Sequence, residues 1–130
     1  MSDLGPGSSN APEAFEIRDA VSGGRHVLML SGELDIASAP ELAAILAHLS
    51  SNRTSQVLID LSRLNFMDSS GLQALLAAKE LCAVQGCEFM LVPGPRQVQR
   101  VFEVCGLLDV LSFETPEAGS SPSGASLSAG

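Results

Sequence analysis

Asp68, Ser69, Ser70 and Gly71 stand together in the segment FMDSSGL, where an apolar run gives way to helical spacing. A carboxylate and two hydroxyls at such a turn suit two kinds of chemistry. In the first, Asp68 or Ser69 accepts hydrogen bonds from the unpaired amides of the following helix and caps it, with Gly71 permitting close approach. In the second, the same amides and the helix dipole favour added negative charge, so a phosphate at this position is tolerated. A strand-to-helix turn also exposes its side chains at the carboxyl edge of a sheet, where α/β domains place their sites.

No enzyme signature accompanies these residues. The sequence lacks GxSxG, GxxxxGK[ST], HExxH and GxGxxG, the spacings that would set up a nucleophile, a phosphate cradle, a zinc site or a dinucleotide fold. His26 begins a predicted strand and His48 sits near the end of a predicted helix, so surface and helix-end roles suit them better than a triad with Ser69. No catalytic residue is assigned and no cofactor is expected. The 3 cysteines, Cys82, Cys87 and Cys105, form no CxxC and have no nearby histidine pair, which disfavours a metal site. Cys82 and Cys105 read as small apolar fillers on helices; Cys82 and Cys87 flank a helix end at Gly86, which leaves a redox pair open.

The 130 residues allow one domain. With 45% hydrophobic residues, no Trp or Tyr and 5 Phe, the core must be aliphatic. A formal charge of −8 without a Lys/Arg cluster disfavours direct contact with nucleic acid. No stretch approaches the roughly 20 apolar residues of a membrane span. The start, MSDLGPGSSN, has neither a basic region nor an apolar signal core, so a cytoplasmic location is expected.

The elements that must position the DSSG turn can be read in order. FEIRDAV and HVLMLSG, joined by SGGR, predict a β-hairpin. A helix follows, with Ser38 and Glu41 in capping-box spacing, Pro40 in the first turn, and Leu42, Ile45, Leu46 and Leu49 on one stripe. VLIDL at Val57 to Leu61 is nearly all apolar, as a strand covered on both faces would be. After DSSG, Leu72, Leu75, Leu76, Leu81 and Cys82 recur at helical intervals up to Gly86. EFMLV at Glu88 to Val92 predicts a further strand. PGP then precedes a helix bearing Val98, Val101, Phe102 and Cys105, and a last short strand is expected around Val110 to Phe113. The order ββαβαβαβ with short loops predicts an α/β fold with a mixed, mostly parallel sheet and an N-terminal hairpin. Residues 1–13 and 116–130 are rich in Gly, Ser, Pro and Ala and read as disordered tails around a domain at 14–115.

At this point the sequence resembles the STAS domains of bacterial anti-anti-sigma factors, or anti-sigma factor antagonists. The resemblance rests on GELD at Gly32 to Asp35 and, about thirty residues later, VLIDLSRLNFMDSSGLQALL; EFMLV, VQRVFEVCGL and the phenylalanine near 113 extend it over roughly Phe15 to Phe113. It implies a single STAS-like domain with helices packed mainly on one face. It also implies that Ser69 is phosphorylated by an anti-sigma factor with ATP-dependent serine kinase activity, with Ser70 the alternative acceptor and Asp35, Asp68 and Gly71 its neighbours. Unphosphorylated, such a protein binds the anti-sigma factor and releases a sigma factor; a serine phosphatase would reset it. Glu33, Asp35, Asp68, Ser69 and Ser70 become the expected partner-binding residues.

Asp35 admits two roles. A carboxylate within reach of a hydroxyl can orient it or take its proton, yet Asp35 lies three residues before Ser38 and can belong to the helix cap. Gly32 reads as a backbone turn and Glu33 as a partner-facing side chain. A phosphate on Ser69 adds about −1.5 to −2 charge beside Asp68, enough to oppose an acidic or apolar partner surface. The competing reading keeps the fold and drops the serine switch: an accessory or scaffold subunit of a transporter or stress-signalling complex.

Overall fold

Two consecutive glycines set the first turn. Gly23 and Gly24 take φ of 56° and 83° between the paired residues Ser22 and Arg25, the positive angles that let a two-residue turn match the twist of the strands it joins. Strands β1 (Glu16–Ser22) and β2 (Arg25–Leu34) therefore run antiparallel. The computed structural model describes residues 15–50 and 54–114; the segments expected as tails, 1–13 and 116–130, lie outside the described residues.

The remaining elements follow as helix α1 (Ala39–Ser50), strand β3 (Gln56–Met67), helix α2 (Ser69–Gln85), strand β4 (Glu88–Val92) and helix α3 (Arg96–Val104). The strands lie in the order β1-β2-β3-β4, with β2, β3 and β4 parallel. Because each crossover steps in the same direction along the sheet, right-handed connections place α1 and α2 on one face. Leu42, Leu46 and Leu49 of α1, Leu72, Leu75, Ala78 and Cys82 of α2, and Val98 and Phe102 of α3 join Leu28, Leu30, Leu34, Val57, Ile59 and Leu61 in a single buried cluster. This is the mixed, mostly parallel sheet with helices on one side that the sequence predicts.

Strand β3 runs to 12 residues where VLIDL suggests 5, and it carries two bulges. Met29 pairs with Asp60 but Ser31 with Arg63, and Gly32 pairs with Leu64 but Glu33 with Phe66; β3 thus spends one extra residue at each step. An extra residue resets the alternation of side chains. Leu61, Leu64 and Met67, three apart in sequence, consequently all face the core at 0%, 1% and 2% exposure. A spacing of three matches neither a regular strand nor a strand end, and this hid the second half of β3.

Three further expectations are corrected. Ser38 is not the acceptor of a capping box with Glu41: its hydroxyl turns back into the preceding loop, donating to the Glu33 carbonyl at 2.7 Å and accepting from the Asp35 amide at 2.9 Å. The last strand reduces to one parallel bridge between Leu91 and Phe113, fixed by Phe113 meeting Phe102 edge-on at 5.1 Å. Cys105 is exposed, not a core filler, because α3 ends at Val104 and its cap residue turns outward; Cys82 and Cys87 are buried, and all three are free thiols. Burial pushes the Cys82 thiol up from its ordinary 9.0 to about 12, and its hydrogen bond and charge interaction with Cys87 act in the same direction.

Candidate functional site

β2 and β3 both end at the same sheet edge, with Leu34 opposite Met67. The loop after each strand begins there. Asp68 donates its amide to the Leu34 carbonyl at 3.3 Å, and Gly71 in the first turn of α2 lies against Leu34 with no room for a side chain. Backbone contact thus joins the GELD loop to the DSSG loop.

Within the DSSG turn the roles divide. Asp68 is the N-cap: its Oδ1 accepts from the Ser70 amide at 2.9 Å and the Gly71 amide at 3.2 Å, while its extended backbone feeds the helix. Ser69 is therefore the first helical residue and plays no part in capping. It is exposed, and among the described residues its hydroxyl has no hydrogen-bond partner. A free, solvent-facing hydroxyl at the positive end of a 17-residue helix is well placed to accept an anionic group.

The GELD loop is organised by Asp35. One oxygen, Oδ1, accepts from the Ala37 amide at 3.0 Å and the Ser38 amide at 3.1 Å, with the Ser38 hydroxyl oxygen 3.2 Å away and its proton on the shorter bond to the Glu33 carbonyl. These bonds hold the loop that leads into α1, whose first helical amide, that of Ala39, reaches the Asp35 carbonyl at 2.8 Å. Of the two roles open to Asp35, the geometry displays the loop-forming one.

The expected site residues do not share one cavity. Asp68 and Ser69 line a groove of about 260 Å³ against α3, whose Gln97, Arg100, Val101, Val104 and Cys105 form the other wall. Glu33 and Asp35 line a second groove with Phe15, Ala37, Ser38 and Glu41. Ser70 points away from Ser69, into a third groove between α1 and α2 beside Ile36, which is 76% exposed. Sequence spacing did not reveal the α3 wall: Gln97, Arg100, Val101 and Val104 are one helix face, and only the fold shows that this face meets the DSSG turn. Among the described residues no group of three or more His, Cys, Asp or Glu side chains could hold a metal ion, and no helix is long and apolar enough to cross a membrane.

A family profile described as "Mlab, STAS domain" matches residues 17–112 of this architecture, which takes in both loops and all four strands. The chain belongs to the STAS domain family. Its curated relatives include the proposed anti-sigma factor antagonist BtrV of Bordetella bronchiseptica, 38% identical over 88 residues, a match covering 67% of this chain and 75% of that one. The anti-sigma-B factor antagonist of Staphylococcus aureus is 27% identical over 82 residues, covering 63% of this chain and 76% of its own. Among solved structures, the unphosphorylated form of the anti-sigma factor antagonist SpoIIAA is similar with a TM-score of 0.68 and 25% identity, over 82% of this STAS domain chain and 93% of SpoIIAA.

Proposed function

We propose that this protein is an anti-sigma factor antagonist whose binding is switched by phosphorylation of Ser69. The observation that carries the reading is the division of labour at the turn: Asp68 satisfies the first-turn amides, which leaves the Ser69 hydroxyl exposed and unengaged at the helix start. The names of the relatives, and the description of SpoIIAA as having an unphosphorylated form, support the same role.

In the free state the chain binds an anti-sigma factor through the surface around Ser69, Asp68, Ser70 and the adjoining Glu33–Asp35 loop, and a sigma factor is released. The anti-sigma factor is also the kinase, and the reaction takes place in the cytoplasm. Ser69 Oγ bonds the γ-phosphorus of ATP, the bond from that phosphorus to its bridging oxygen breaks, ADP leaves, and the hydroxyl proton passes to a base. That base belongs to the kinase, because Asp35 is held by two amides of its own loop and faces a different groove. A serine phosphatase restores the hydroxyl. The chain itself is a substrate and a binding partner and catalyses nothing.

Phosphorylation adds about −1.5 to −2 charge at an interface whose own side is already acidic. The helix terminus offsets part of this within the domain, so the fold is retained while the complex is lost. Incubation with the cognate anti-sigma kinase and ATP, followed by peptide mapping, should place a single phosphate on Ser69 in the wild type and in Ser70→Ala, and none in Ser69→Ala. Absence of phosphate from all three would favour the accessory or scaffold reading.

A further inference from the structure

Ser69 shares its groove with one basic side chain, Arg100, contributed by α3. Among the described residues the Arg100 guanidinium makes no hydrogen bond or ion pair, in a chain with only 7 Lys and Arg against 15 Asp and Glu. Its placement is set by the fold. Val98 and Phe102, each 0% exposed, seat α3 on the core, and Gln97 Nε2 donates to the Asn65 carbonyl at 3.1 Å, tying the first turn of α3 to the strand end just before Asp68. Arg100 lies three residues after Gln97 and so stands on the same helix face, which is the wall opposite Ser69.

We infer that Arg100 receives the phosphoryl group of phosphorylated Ser69, forming an ion pair across the groove within the chain. The inference rests on the reading of Ser69 as the phosphoacceptor. A phosphate on Ser69 would otherwise sit beside the Asp68 carboxylate with only the helix terminus to offset it. The guanidinium offers five donors in a planar fork that matches phosphate oxygens two at a time, and in the unmodified chain no internal acceptor engages it among the described residues. The pair changes the surface twice: a negative group appears, and the groove's cation is withdrawn from any partner that used it. Val101, Val104 and Cys105 line the rest of the groove; Val104 and Cys105 are exposed, so the pair stays in contact with water.

The test installs phosphoserine at position 69 by genetic encoding, in chains with Arg100 intact, Arg100→Gln or Arg100→Lys, and follows the phosphate by phosphorus NMR across pH. The charged and titratable groups lining the groove are Asp68, Arg100 and Cys105, and the phosphorus signal reports the phosphate directly. Its second ionisation, ordinarily near pH 6, should fall about 0.5 unit lower with Arg100 than with Gln, as an ion pair at a partly exposed site implies. Lys should recover part of the difference, and 1 M salt should collapse it. Equal midpoints for the Arg100 and Gln chains, both folded by circular dichroism, would overturn the inference. Because translation supplies the phosphate, this result is independent of any kinase; a failure of Ser69 phosphorylation itself would appear only in the peptide mapping.

Discussion

Gly71 packs directly on Leu34: a Cβ added to Gly71 would lie 2.6 Å from the Leu34 carbonyl oxygen, 2.7 Å from the Leu34 Cγ and 2.9 Å from the Met67 Cγ. Leu34 is the third residue of GELD and Gly71 the last of DSSG, so the two motifs are parts of one packed unit at the sheet edge. Gly71→Ala should therefore destabilise the domain by about 1–3 kcal/mol, as overpacking does, despite the preference of about 1 kcal/mol for Ala over Gly inside a helix. A urea midpoint equal to or above that of the wild type would show that the contact relaxes freely.

Asp68 holds two amides with one oxygen. Asp68→Ala should cost about 1 kcal/mol through loss of the cap, whereas Asn, which can accept the same bonds, should cost only a few tenths. Amide exchange at Ser70 and Gly71 is the local readout: faster in Ala and near wild type in Asn. Equal protection in all three would remove Asp68 from the capping role.

The cysteines separate by burial. In the native chain at neutral pH a thiol reagent should modify Cys105 rapidly and Cys82 and Cys87 slowly, and all three after unfolding. The raised pKa of Cys82 has a further consequence. The folded thiol keeps its proton up to about 12 while the unfolded thiol ionises from 9.0, so the unfolded state binds fewer protons in that window. Stability from this group is complete below pH 9 and is lost as pH rises toward 12; Cys82→Ala should flatten that decline, and an unchanged slope would contradict the assignment.

Glu33 is exposed beside Asp35, and its side chain, unlike its carbonyl, takes no part in the loop's hydrogen bonds. Glu33→Lys should weaken binding to the anti-sigma factor several-fold, chiefly through the association rate, with the melting temperature unchanged. Unaltered affinity would remove the GELD loop from the interface.

Much of this could be read in advance, for physical reasons that differ by element. The hairpin was legible because SGGR demands a tight turn, and the helices because Leu42, Leu46 and Leu49, then Leu72, Leu75 and Cys82, keep helical period. The bulged half of β3 was not, since Leu61, Leu64 and Met67 follow no strand period. Ser38 misled because its spacing to Glu41 is that of a capping box, while a nearer donor, the Asp35 amide at 2.9 Å, takes its oxygen and its hydroxyl donates to the Glu33 carbonyl at 2.7 Å. The DSSG turn was visible as a cluster of polar residues, but Arg100 lies 31 positions beyond Ser69 and no local pattern connects them; the tertiary packing of Val98 and Phe102 does.

The central claim is that the charge state of Ser69 decides whether the partner binds. Calorimetric titration of the cognate anti-sigma factor with the unphosphorylated chain, the chain phosphorylated on Ser69, and Ser69→Ala tests it most directly. Tight binding by the first and third, with a loss of about 100-fold or about 2.7 kcal/mol for the phosphorylated chain, is the expected result. Equal affinity for all three would contradict the account.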